Sequence, residues 1–98
     1  MRLPTHRAPT TPGEILLEEW LKPMKLTQLA LAKKMGVDIQ LVNGIINGRR
    51  SVTAKTALLL AKVLKTTPEF WLNAQKAVDL DDAARHLATM PKPLLRAG

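Results

Sequence analysis

The stretch from Thr27 to Gly48, TQLALAKKMGVDIQLVNGIING, constrains the fold more than any other part of the chain. Thr27 is a good N-cap, and the run after it sets Leu31, Ala32 and Met35 on one helical side. Gly36 stops that helix, because glycine takes the left-handed backbone of a helix exit without a Cβ penalty. Asp38 then caps a second helix, expected to run to about Ile46, with Val42, Ile45 and Ile46 at helical spacing and Gly48 at its end. So short a connection forces the two helices to cross. Ala32 is small at the crossing, and Val37, Val42 and Ile45 wedge the second helix onto the first. The arrangement is a helix-turn-helix.

The flanks also read as helices. In TPGE, Thr11 caps, Pro12 takes the first helical position and Glu14 completes a capping box. This first helix is expected over Pro12–Leu21, with Ile15, Leu16 and Trp20 on its apolar face and Pro23 ending it. Thr53 caps a helix over Ala54–Leu64, packed through Ala57, Leu58, Leu60, Ala61 and Leu64. Thr67 caps another, from Pro68 to about Val78, carrying Phe70, Trp71 and Leu72; Trp71 is expected in the core. Asp81 or Asp82 starts a further short helix through Met90, before PKP breaks the chain. No stretch alternates like a strand. The fold class is all-α, with five helices in a domain over 12–78, a flexible N-terminal arm over 1–11 and a C-terminal tail over 79–98.

At 98 residues the chain holds one modest core. It has no cysteine, hence neither disulfides nor a thiolate metal site, which fits a reducing cytoplasm. No apolar run approaches the roughly 20 residues that span a bilayer, and the N-terminus lacks the apolar segment of a secretory signal, so no membrane association is expected. His6 and His86 stand apart, Ser51 is the only serine, and no metal-ligand spacing or glycine-rich phosphate loop is present. The expectation is a non-enzyme without a cofactor. Net charge is +7, and its placement is uneven: between Lys22 and Lys65 nine basic residues face one acid, Asp38. Such a basic middle suits a polyanion.

The second helix of the motif leaves a polar face free near its start. Ile39, Gln40, Asn43 and Gly44 are its candidate base-contacting residues. Amides of Gln40 and Asn43 match the donor–acceptor pair of adenine, Ile39 suits a thymine methyl, and Gly44 permits close approach. Gln28, in the first turn of the preceding helix, is expected to reach a phosphate or support Gln40. Asn47, Arg49 and Arg50 at the exit, with Lys55 beyond, are the remaining candidate phosphate contacts. Taken singly each residue also reads as an ordinary solvated position, and the arginines as partners of the helix dipole. A mid-helix glycine costs about 1 kcal/mol against alanine, so Gly44 asks for a reason.

Residues 27 to 48 resemble the helix-turn-helix of the phage-repressor-like (XRE or Cro/CI) superfamily. The longer run from TPGEILLEEWLKPMKLTQ through PEFWLNAQ is similar to the HigA family, the antitoxins of HigBA-type toxin–antitoxin pairs, with PGEIL, NGRR and PEFWLN as its more specific pieces. The resemblance covers about residues 11 to 76. It implies a lambda-repressor-like domain that binds palindromic operator DNA as a homodimer, represses its own operon and neutralises a RelE-like (HigB-type) mRNA endonuclease toxin. It also implies base contacts from Ile39, Gln40, Asn43 and Gly44, and phosphate contacts from Gln28, Asn47, Arg49 and Arg50. This chain departs from the family pattern at Ile39 and Gly44, where longer or more polar side chains are usual, and at apolar Leu29 and Leu41.

One small domain reads too few base pairs, so a two-fold dimer is expected, with Phe70, Leu72, Val78 and Leu80, and also Ala77 and Leu87, at its seam. Glu14, Glu18, Glu19, Asp79, Asp81 and Asp82 are the acids available to oppose a basic toxin. Two other readings stand beside this one: a repressor of the same family without a toxin partner, and a protein-interaction module that never touches DNA.

Overall fold

The computed structural model describes residues 8–95, and all regular secondary structure among them is helical. The element order is α1 (Pro12–Ile15), the π-helical segment π1 (Leu16–Leu21), α2 (Lys22–Met24), α3 (Gln28–Met35), α4 (Ile39–Ile46), α5 (Ala54–Leu64) and α6 (Pro68–His86). The first three follow one another without a break, so five helical rods result. The expectations for His6 and for most of the N-terminal arm fall outside the described residues.

Short polar caps set the helix starts. Thr11, Thr27, Asp38, Thr53 and Thr67 each have extended backbone and accept a hydrogen bond from an N–H of the turn they open. Each such cap contributes about 1 kcal/mol. The Thr11–Glu14 capping box is complete: the Glu14 N–H donates to Thr11 Oγ1 at 3.1 Å, and the Thr11 N–H donates to Glu14 Oε1 at 3.3 Å. Gly36 ends α3 with φ of 72°, the left-handed conformation its position required.

Two expected helix ends are corrected. Pro23 does not terminate the first rod, which continues to Met24 and stops at left-handed Lys25. The reason lies in π1. The Lys22 N–H donates to the Leu17 carbonyl, five residues back, so the α-register is already interrupted before the proline. The wider turn also explains why Leu16 and Leu21 are both buried. At 3.6 residues per turn, positions five apart lie about 140° apart, whereas π-helical winding stacks them.

The last helix does not end at Val78, and no separate helix starts at Asp81 or Asp82. No glycine or proline follows Pro68 within α6, so nothing breaks the helix at Val78 and it runs on to His86. Its later turns are laced along the axis instead: Gln75 Nε2 donates to Asp79 Oδ1 at 2.9 Å, and Arg85 pairs with Asp81 at 3.2 Å. The expected domain boundary falls inside this helix. Packing nevertheless ceases there, since beyond Val78 every described residue but half-buried Asp81 is exposed.

The core gathers Leu16, Leu21, Leu31, Ala32, Met35, Val42, Ile45, Val52, Ala57, Leu60 and Leu64 around fully buried Trp71. Trp71 packs at 5.0 Å from Phe70 and 5.3 Å from Trp20, centroid to centroid, and its Nε1–H donates to Thr66 Oγ1 at 2.7 Å. Ala32 is buried at the α3–α4 crossing as expected. A second close crossing joins α1 to α4. A Cβ on Gly13 would press into the Ile45 carbonyl oxygen and lie 2.7 Å from that of Ile46. Only glycine lets the first rod rest on the C-terminal turn of α4.

Candidate nucleic-acid interface

Packing fixes α4 by one side only. Val42, Gly44 and Ile45 are buried, while Ile39, Gln40 and Asn47 are exposed and Asn43 is half-buried. Asp38 caps the helix through its Oδ1, which accepts from the Gln40 N–H at 2.7 Å. Ile39, Gln40, Asn43, Gly44, Arg49 and Arg50 together line an open concavity of about 590 Å³. The structure thus brings the four candidate base-contacting residues and both exit arginines to one wall. Lys55, exposed in the first turn of α5, does not line it.

Gly44 is not open to solvent, as the sequence had suggested. It is buried, and the stem of Arg50 covers it: an added Cβ would meet Arg50 Cγ at 2.7 Å. Its carbonyl accepts the N–H groups of both Arg49 (2.8 Å) and Arg50 (3.0 Å). The basic exit is therefore tied to α4 at its start. At its far end the Val52 N–H donates to Gln75 Oε1 at 2.8 Å, which ties the same loop to α6. Periodicity gives no sign of this role of Gln75; its place in the PEFWLNAQ piece was the only signal.

Gln28 does not support Gln40. It meets Asn43, whose Nδ2 donates to Gln28 Oε1 at 3.2 Å. Asn43 Oδ1 in turn accepts from Asn47 Nδ2 at 3.0 Å and from an Arg49 guanidinium N–H at 2.8 Å. Four of the predicted residues form one chain of hydrogen bonds. Gln40 makes no side-chain hydrogen bond among the described residues.

The other predicted residues divide. Leu72 packs against the core and Val78 lines a small crevice with Thr11, Pro12 and Ile45, whereas Phe70 and Leu80 are exposed. Leu41 is local packing; Leu29 is exposed. Most of the acids have neighbours of their own: Glu14 in the capping box, Glu18 on Lys22 at 2.7 Å, Asp79 on Gln75 and Asp81 on Arg85. Among the described residues no cluster of His, Asp or Glu could hold a metal, and no helix is long and apolar enough to cross a membrane.

A capped helix held outward over a small-residue crossing, with two arginines pinned at its exit, defines a helix-turn-helix of the DNA-binding type. A helix-turn-helix family model matches residues 17–71. The chain is 47 % identical over 93 residues to antitoxin HigA-1 of Vibrio cholerae, covering 92 % of this chain and 88 % of that one. It is 46 % identical over 83 residues to an uncharacterised HTH-type transcriptional regulator, YbaQ, of Escherichia coli strain K12, covering 85 % and 74 %. The fold superposes on Pseudomonas aeruginosa antitoxin HigA, solved with the higBA promoter, with a TM-score of 0.82 at 32 % identity, covering 89 % of this chain and 99 % of that one. This chain belongs to the HigA-type antitoxin family of XRE helix-turn-helix proteins, which are not enzymes.

Proposed function

We propose that this protein binds a palindromic operator as a homodimer, represses its own toxin–antitoxin operon, and neutralises a RelE-like mRNA endonuclease toxin by direct binding. One observation carries the DNA part: an outward α4 face whose flanking arginines are tied to the scaffold at both ends of their loop. Exposed Ile39 and Gln40 face the base edges, with half-buried Asn43 beside them and buried Gly44 seating Arg50 behind them. Gln28, Asn47, Arg49 and Arg50 lie beside this face for phosphates, and Lys55, exposed in the first turn of α5, is a further phosphate contact outside the concavity. The likeness to a HigA solved on promoter DNA supports the same docking.

The dimer reading rests on α6. Phe70, Ala77, Leu80, Ala84 and Leu87 recur at intervals of three, four and seven residues, a spacing that makes one stripe. All are exposed, and the helix continues beyond the core with no neighbour beneath its last turns. A second copy laid on this stripe buries it and sets two α4 helices against successive half-sites about 34 Å apart. Leu72 and Val78 serve packing within the chain.

Two assays test the proposal. Binding to the upstream promoter duplex should exceed binding to unrelated DNA, and co-expression with the neighbouring toxin-type gene should restore growth and co-purify both chains. The same assays separate a second reading, a repressor of this family without a toxin partner. Promoter binding without rescue or co-purification would establish that reading instead.

A further inference from the structure

We propose that Asn43 is a positioning residue that holds Arg49 toward the DNA backbone, so that Gln40 is the base-reading amide of α4. The inference rests on the DNA-binding reading and assigns roles within that site.

Arginine only donates, so the Asn43 atom 2.8 Å from Arg49 must be its oxygen. That oxygen also accepts from Asn47 Nδ2, which occupies its two lone pairs. The Asn43 nitrogen consequently faces Gln28 and donates to its Oε1. An adenine contact needs an amide oxygen free to accept from N6 while the nitrogen donates to N7. Asn43 has no such oxygen without releasing a charge-assisted bond, the stronger kind. Gln40 lies exposed with both ends of its amide unengaged among the described residues.

The same directionality decides what the network shows to a ligand. Gln28 spends one lone pair of its oxygen on Asn43 and keeps both donors of its NH₂ unengaged among the described residues. Arg49, held through one N–H, keeps its other donors. The outward valences of Gln28 and Arg49 are therefore donors, which suit phosphate oxygens and cannot make the donor–acceptor pair that adenine requires. Asn43 sits at the centre as the group that orders them.

The test is fluorescence anisotropy of the full chain on a promoter duplex and on an unrelated duplex of equal length, across a salt series. Asn43→Ala should weaken binding to both duplexes by the same factor, about tenfold, the scale of one hydrogen bond to a charged group. It should also lower the slope of log affinity against log salt, although no charge is removed. Arg49→Ala should lower that slope by about 0.9. The Asn43→Ala/Arg49→Ala double variant should bind no worse than Arg49→Ala alone. Gln28→Ala, which cuts the anchor and keeps Asn43, should show the same pattern at smaller size, and circular dichroism should report wild-type helicity throughout. The proposal is overturned if Asn43→Ala reduces only the promoter preference, leaves the salt slope unchanged and adds fully to Arg49→Ala. A wild-type chain that neither prefers the promoter nor responds to salt would instead remove the DNA reading itself, before any variant is compared.

Discussion

The side-chain stem of Arg50 lies across the α-carbon of Gly44, which is buried beneath it. A mid-helix glycine costs α4 about 1 kcal/mol, and this contact is what the cost secures. Gly44→Ala should therefore keep or slightly raise the thermal midpoint while displacing Arg50. Affinity for promoter and unrelated DNA should fall together, with the salt slope reduced. A variant that binds DNA like the wild type would show that the seat of Arg50 is irrelevant to binding.

Gln75 joins α6 to the exit loop through the Val52 N–H, an atom that water cannot readily serve because Val52 is buried. Gln75→Leu leaves that donor without its partner. The expected loss is about 1–3 kcal/mol in chemical denaturation. DNA affinity should fall as well, since the arginine loop loses its second tie.

Gly13 presents a harder limit than Gly44, because what surrounds it is the backbone of Ile45 and Ile46 and cannot swing aside. Gly13→Ala should cost about 1–3 kcal/mol by overpacking. Denaturant titration of the variant checks this; an unchanged midpoint would mean that the α1–α4 crossing is looser than described.

The exposed stripe on α6 predicts the oligomeric state. Leu80→Glu with Leu87→Glu places two charges on it without touching the core, since both positions lie beyond the packed part of the helix. Sedimentation should show a dimer for the wild type and a monomer for the variant, with wild-type helicity and lost operator binding. A wild-type chain that sediments as a monomer at micromolar concentration would reject the seam.

Much of this architecture was legible in the sequence because it is written locally. Thr11, Thr27, Asp38, Thr53 and Thr67 announce their helices by chemistry that acts within three residues, and Gly36 marks the turn by its backbone alone. Trp71 as core followed from size and spacing. What escaped was non-local or register-breaking. The π-turn that carries the chain through Pro23 rotates the buried face, which a fixed period cannot show. The continuation of α6 past Val78 has no stop signal, but the aspartates there resemble caps. The Asn43 network joins residues 15 apart in sequence through side-chain atoms, and the fit of Gly13 and Gly44 depends on what lies opposite them in space.

The central claim is that the outward face of α4 reads DNA. The most direct measurement is the ratio of affinities of Gln40→Ala for the promoter duplex and for an unrelated duplex, taken at one fixed salt concentration. The account predicts that the ratio falls by about 1–3 kcal/mol, the worth of one bidentate base contact, while binding to unrelated DNA is unchanged. A ratio equal to that of the wild type would contradict it.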